Sequence, residues 1–196
     1  DESPNGDADD PTINEPYVEN RLISFFGRAT YDYAGKYLIT GSLRRDGSTR
    51  FGPGNRWGLF PSAAVAWRVL EENFASGLTN IFTELKLRAS YGVTGNEQIA
   101  NFQYATYYRP SINGASYQFG SEYVTTLTPN GADRNLKWEE NISSNIAIDG
   151  GLFGGRFTFT LDYYQRKVQD LIFQISPAAG SVPDDQLTTN IGSVEN

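Results

Sequence analysis

Apolar and polar residues alternate one for one through a series of stretches in this chain. From Leu22 to Tyr33, the set Ile23, Phe25, Gly27, Ala29 and Tyr31 interleaves with Ser24, Phe26, Arg28, Thr30 and Asp32. Successive side chains of a strand point to opposite faces, so this period predicts a strand with one greasy face and one wet face. The same reading predicts strands over Tyr37–Arg45, Trp57–Arg68, Glu84–Val93, Asn141–Asp149 and Arg156–Lys167, and a seventh beginning near Leu187. The cleanest sets Leu85, Leu87, Ala89, Tyr91 and Val93 against Glu84, Lys86, Arg88, Ser90 and Gly92. Pro61 falls inside the third strand and predicts a bulge or strained spot, because proline has no N–H for the ladder. Residues 69–82 read as a helical turn or loop.

The connections carry the next inference. Those at 34–36, 69–82 and 150–155 alternate with longer, polar ones at 46–56 and 94–140, although 69–82 fits a short-turn rim less well. Tyr31, Tyr33, Tyr37, Trp67, Phe153 and Phe157 gather near the short-turn rim. Strands of about 9 to 12 residues with one rim of short turns, one of long loops and an aromatic girdle are the signature of a transmembrane β-barrel. The same alternation also suits a soluble β-sandwich with one buried face. Strand length tilts the reading toward the barrel, since soluble strands more often run to about 5 or 6 residues. The longest apolar run is Ala63–Trp67, far short of the ~18 residues of a membrane-crossing helix.

Charge is unevenly spread. The formal net charge is −7, yet Asp1, Glu2, Asp7, Asp9, Asp10, Glu15 and Glu19 precede the first base, Arg21, and the remainder is balanced. Residues 1–20 therefore read as an acidic extracellular loop or end. No basic field for nucleic acid exists. Asp7, Asp9 and Asp10 are the oxygens a calcium ion would use, but their spacing lacks the glycine and distal glutamate of an EF-hand, and no cofactor is expected. With no His and no Cys, triad, thiol and zinc chemistry have no parts. The acid pairs Glu71-Glu72, Glu139-Glu140 and Asp184-Asp185 would point to opposite faces of a strand. No catalytic residue is expected.

The recognition-rich stretch is 94–140. There Tyr104, Tyr107, Tyr108, Arg109, Tyr117 and Trp138 supply rings and a guanidinium that can stack on and hydrogen-bond sugars or peptide backbones. The same rings could equally pack the loop onto its neighbours.

Several stretches then stand together: Arg21–Arg28, Tyr31-Asp32-Tyr33, Leu43–Gly52 with its Asp-Gly-Ser-Thr-Arg-Phe-Gly, Trp57–Ser62, Ala66-Trp67-Arg68, Leu85–Asn96, Asn135–Glu139 and Asp162-Tyr163-Tyr164. This series resembles the barrel of the SusC/RagA class of TonB-dependent outer-membrane transporters of Bacteroidetes, over nearly all of 21–196. The resemblance implies an all-β, antiparallel transmembrane barrel segment of six or seven strands, part of a 22-stranded barrel with a plugged lumen. It implies residence in the outer membrane, against lipid and the remaining strands. It also implies a SusD-type surface lipoprotein as lid, TonB acting through a segment outside this chain, and import of glycans or peptides. On that reading the chain is a piece of a longer protein, loop 94–140 is extracellular, and Arg28, Arg44, Lys86, Arg88 and Asp162 face the lumen. A siderophore receptor barrel and a soluble or surface-attached carbohydrate-binding β-sandwich stay open as alternatives.

Overall fold

The computed structural model describes residues 19–110, 116–178 and 186–196. Six long strands form its body: β1 (Leu22–Tyr33), β2 (Tyr37–Ser48), β3 (Trp57–Arg68), β4 (Phe82–Asn96), β9 (Glu139–Leu152) and β10 (Phe157–Gln169). Between β4 and β9 lie the short strands β5 (Tyr108–Pro110), β6 (Ser116–Phe119), β7 (Glu122–Thr125) and β8 (Leu127–Pro129). After β10 come β11 (Ile172–Ile175), β12 (Leu187–Asn190) and β13 (Ser193–Glu195). The main sheet is antiparallel, in the order β1-β2-β3-β4-β9-β10-β13. The pairs β5–β8, β6–β7 and β11–β12 are separate ribbons.

Register decides the faces, because paired residues lie on the same side. One row runs Tyr31, Ile39, Val65, Ala89, Ile146, Tyr163 across six strands, and the next runs Tyr33, Tyr37, Trp67, Leu87, Ile148, Leu161. On the opposite face, Thr30, Thr40, Ala64, Ser90, Asn145 and Tyr164 share one row, and Arg28, Ser42, Ser62, Gly92, Ser143 and Arg166 another. A sandwich would bury the first face under a second sheet. Instead Ile146 is 62% and Leu161 63% exposed, and among the described residues no second layer covers them. That removes the sandwich reading.

The tight turns close as their residues dictate. Ala34 and Gly35 both take positive φ, and Gly35 N–H donates to Asp32 Oδ1 at 2.8 Å. Phe153, Gly154 and Gly155 repeat the left-handed conformation in the turn from β9 to β10.

Several expectations are corrected. The seventh strand of the main sheet is β13, whereas the segment from Leu187 pairs with β11. The ladder passes Pro61 in register with Leu43, and the partnership with β4 stops at Ser62↔Gly92, so the ladder ends there without a bulge. The register shift lies instead between Phe82 and Glu84. The helical turn or loop expected over 69–82 is present as two 3₁₀ turns, Val69–Glu71 and Asn73–Asn80. Segment 94–140 is partly ordered by β5–β8 and β6–β7, with β4 reaching Asn96 and β9 starting at Glu139.

Candidate functional site

The polar face carries a charge lattice built by register. Lys86 pairs with Asp149, and Arg88 and Asp162 both pair with Ala147, so all four side chains converge. Arg88 forks onto Asp149 with Nε–Oδ2 at 2.7 Å and Nη2–Oδ1 at 2.8 Å. Lys86 Nζ lies 3.2 Å from the same carboxylate, and Thr160 donates to it at 3.1 Å. Asp162 accepts from Asn145 at 3.2 Å and stands 4.0 Å from Arg88. Arg44 Nε donates to both carboxylate oxygens of Asp46, at 2.8 and 2.7 Å, and its Nη2 reaches Ser24 Oγ at 3.2 Å. Arg28, on the edge strand β1, is exposed. The five charged residues expected on one face thus share it, and Arg44, Lys86 and Arg88 are neutralised by the neighbouring carboxylates of Asp46 and Asp149.

At the long-loop rim the chain makes its own small core of Phe51, Phe60, Ile99, Leu136 and Trp138. Trp138 stacks near Phe51 at 5.2 Å and edge-on to Phe60 at 5.4 Å, and its indole N–H donates to the Arg56 carbonyl at 3.0 Å. Only 6% of it is exposed, so it packs the rim and offers no platform to a ligand. Tyr104 is half-buried and lies against Gly52. Tyr107, Tyr108 and Tyr117 are exposed, as are Phe119 and Tyr123 of the β6–β7 ribbon. Arg109 pairs through its backbone with Thr128. Asp7, Asp9 and Asp10 lie outside the described residues. Among the described residues no cluster of three His, Cys, Asp or Glu could hold a metal.

Two residues that pattern reasoning missed organise the rims. Asn130 is buried and clasps the long loop: its Oδ1 accepts from Tyr107 N–H at 2.7 Å and its amide donates to the Ala105 carbonyl at 3.0 Å. The turn signal Pro129-Asn130-Gly131 could have marked it. At the short-turn rim, Glu72 accepts from Tyr37 Oη at 2.5 Å, Lys36 Nζ at 3.0 Å and Trp67 Nε1 at 3.3 Å. The Tyr37 hydroxyl first, then the Lys36 ammonium, hold its carboxyl below the usual glutamate range. Rings continue around this rim, with centroids 6.4 Å apart for Tyr31–Tyr33 and Tyr37–Trp67 and 6.3 Å for Tyr33–Tyr37 and Trp67–Phe74.

Comparison with known proteins agrees with this geometry. The family model described as "TonB dependent receptor-like, beta-barrel" matches residues 1–196. TonB-dependent receptor SusC of Bacteroides thetaiotaomicron is 42% identical over 180 residues, which take in 91% of this chain and 18% of that protein. TonB-dependent receptor P39 of Formosa agariphila is 41% identical over 185 residues, 94% of this chain and 17% of that protein. Among solved structures, the RagAB peptide importer in its open-open state superposes with a TM-score of 0.77 at 26% identity, over 91% of this chain and 19% of that one. The chain spans under a fifth of the length of these relatives.

Proposed function

Since the chain belongs to the family of TonB-dependent receptor-like β-barrels, which are outer-membrane proteins, we propose that residues 21–196 form part of the wall of an importer for large nutrients, glycans or peptides. Its relatives are receptors, not enzymes. The observation that carries the reading is the two-faced sheet. One side presents rows of exposed aliphatic and aromatic residues to hydrocarbon, and the other presents hydroxyls, amides and paired charges to water. On this reading Arg28, Arg44, Lys86, Arg88 and Asp162 line the lumen, loop 94–140 shapes the outer vestibule, and residues 1–20 form an acidic outer segment. Tyr107, Tyr108 and Tyr117 are the exposed rings that a nutrient would meet first. A SusD-type surface lipoprotein would close over these loops, and the plug and the TonB contact belong to other parts of the complete receptor. That a solved structure with this fold is titled the RagAB peptide importer supports the nutrient class.

The test is cysteine accessibility in the complete receptor in intact outer membranes. Single cysteines at Thr40, Ser90 and Asn145 should react with a membrane-impermeant maleimide, and those at Ile39, Val65 and Ile146 should resist it. Equal reactivity of the two sets would overturn the wall. Loss of oligosaccharide or peptide uptake when a bulky adduct sits at Tyr108 or Tyr117, with barrel assembly intact, would place recognition in the loop; unchanged uptake of both would remove it.

A further inference from the structure

The rim of short turns holds one connection that is not short. Residues 34–36 and 153–156 are tight turns, whereas 69–81 is a clamped and partly apolar segment. Val69 and Ala75 are buried within it. Glu72 fastens it to three donors, two of which, Tyr37 and Trp67, are girdle residues of the apolar face. Held this way, the segment exposes Phe74 (70%), Leu78 (37%) and Ile81 (54%). The Phe74 ring lies 6.3 Å from that of Trp67 and so continues the aromatic ladder one step beyond the sheet. Phe82 pairs with Leu152, which brings Ile81 and Phe153 just past neighbouring strand ends. Phe153 is 71% exposed and sits at a φ of 54°, a conformation a bulky residue adopts at a cost.

A loop standing in water has no reason to carry this. Fixing large apolar side chains in the solvent forgoes their burial, whereas the same rings are favoured at a lipid interface, where their apolar bodies leave water. We infer that 69–81, with Phe153 beside it, is a foot seated in the headgroup boundary of the periplasmic leaflet, and that phospholipid is what covers Phe74, Leu78 and Ile81. Continuity with the girdle argues for lipid as occupant, because the ladder that meets the bilayer through Tyr37 and Trp67 runs directly into Phe74. The Lys36 ammonium is spent on Glu72, no basic residue lies in 69–81, and the one further charge there is the exposed Glu71, so the patch offers acyl contact and no cationic site for a headgroup phosphate. The foot also gives the barrel a fixed depth: the clamp converts lipid contact at Phe74 into a tie on β2 and β3.

This inference rests on the barrel reading and on the short-turn rim facing the periplasm. It is tested in the complete receptor, cleared of other cysteines and reconstituted in vesicles of phosphatidylethanolamine and phosphatidylglycerol. Nitroxide labels are placed singly at Phe74→Cys, Leu78→Cys and Ile81→Cys. Ala63→Cys on the apolar face serves as the bilayer reference and Gly54→Cys in the opposite loop as the water reference. The ratio of oxygen to water-soluble nickel accessibility at the three foot positions should fall between the two references. Values at Phe74 and Leu78 equal to Gly54, with Ala63 still reading as lipid, would overturn the foot and leave the barrel standing. Water-like values at Ala63 as well would overturn the barrel reading itself. Labels shielded from both relaxants would mean a protein partner covers the patch, and would equally overturn it. Since Phe74→Cys alters the foot, Leu78 is also read with Phe74 intact and with Phe74→Ser. The serine should shift Leu78 toward water, and no shift would count against the ladder as the anchor.

Discussion

Strand β3 carries its own depth gauge. Trp57 and Trp67 stand on the apolar face at opposite ends, ten residues apart. At ~3.3 Å per residue the path between them is ~33 Å, and a tilt of ~45° brings it to ~23 Å of height, close to the apolar band of an outer-membrane barrel. Ala63 lies near the middle of that path, on the same face, between Gly41 and Tyr91. An arginine there should cost about 2–4 kcal/mol, whereas at Leu59, nearer the interface, it should cost about 0–1 kcal/mol. The larger penalty corresponds to roughly 30- to 700-fold in the folding equilibrium. Ala64→Arg shifts the same charge by one residue onto the wet face, among Thr40, Ser90 and Asn145, where solvation is retained. The assay is reversible urea unfolding of the complete receptor in lipid vesicles, read by the heat-modifiable shift of the folded band on a gel. The expected order of destabilisation is Ala63→Arg, then Leu59→Arg, then Ala64→Arg. If Ala64→Arg proves as costly as Ala63→Arg, or Leu59→Arg costs more than Ala63→Arg, the assignment of faces or the gauge is wrong.

Three further outcomes follow from local contacts. A double-mutant cycle of Arg88→Met and Asp149→Asn should give a coupling of about 1 kcal/mol that shrinks at high salt, because the pair is forked but lies at a wet surface; zero coupling at low salt would deny the pair an energetic role. Gly95→Ala would set a Cβ 2.1 Å from the tip of the Phe60 ring, which is buried and pinned by Trp138, and should cost about 1–3 kcal/mol in urea unfolding, while Gly54→Ala, in open space, should cost little. Glu72 has a lowered pKa in the folded state, so its clamp contributes fully above the ordinary glutamate value and is lost as pH falls through the lower, folded-state value. The mobility of a nitroxide at Leu78 should therefore stay constant from neutral into mildly acidic solution and rise only below the usual glutamate range, and Glu72→Gln should abolish that dependence.

The parts of the fold readable from the chain are those where the two faces meet different media. Between Tyr37 and Leu43, or Leu85 and Val93, hydrocarbon on one side and water on the other force a period of two, and the expected strands coincide with the observed ones. Past the membrane both faces are wet and the period fades. Thus β2 runs on through Asp46 to Ser48, β4 to Asn96, and β9 begins at Glu139, all in stretches that look like loop. β13 is three residues long and has no period to show. The rim cluster was half legible. Phe51 and Trp138 stand out as aromatics in polar surroundings, but Trp138 could be a ligand platform or a packing residue until its partners Phe60, Ile99 and Leu136 arrive from distant positions. Glu72 is not legible from the acid pair Glu71-Glu72, because its direction is set by the extended backbone it adopts between two 3₁₀ turns, which aims it back at the girdle.

The lattice on the polar face bears on what a conduit wall must do. A wall for large hydrated nutrients must be wet, yet any strong site along it would hold the cargo and stop passage; permeation needs contacts weak enough to leave. Free arginines would be such sites, since each offers a fork that matches carboxylates and phosphates. Here Arg88 and Lys86 are taken up by Asp149, with Asp162 alongside, and Arg44 is taken up by Asp46. The intervening rows offer hydroxyls that satisfy one another, Ser42 with Ser62 at 2.6 Å and Thr30 with Thr40 at 3.4 Å. What these rows present is thus largely a surface of internally satisfied dipoles, with Arg28 and Arg166 exposed on the same face, and on the proposed reading it is wettable by water and offers a passing sugar or peptide few strong sites. On the proposed reading, selectivity falls to groups outside this lattice, among them the exposed rings Tyr107, Tyr108 and Tyr117. That division predicts that neutralising Arg88 together with Asp149 leaves ligand affinity unchanged, while replacing Tyr108 and Tyr117 does not.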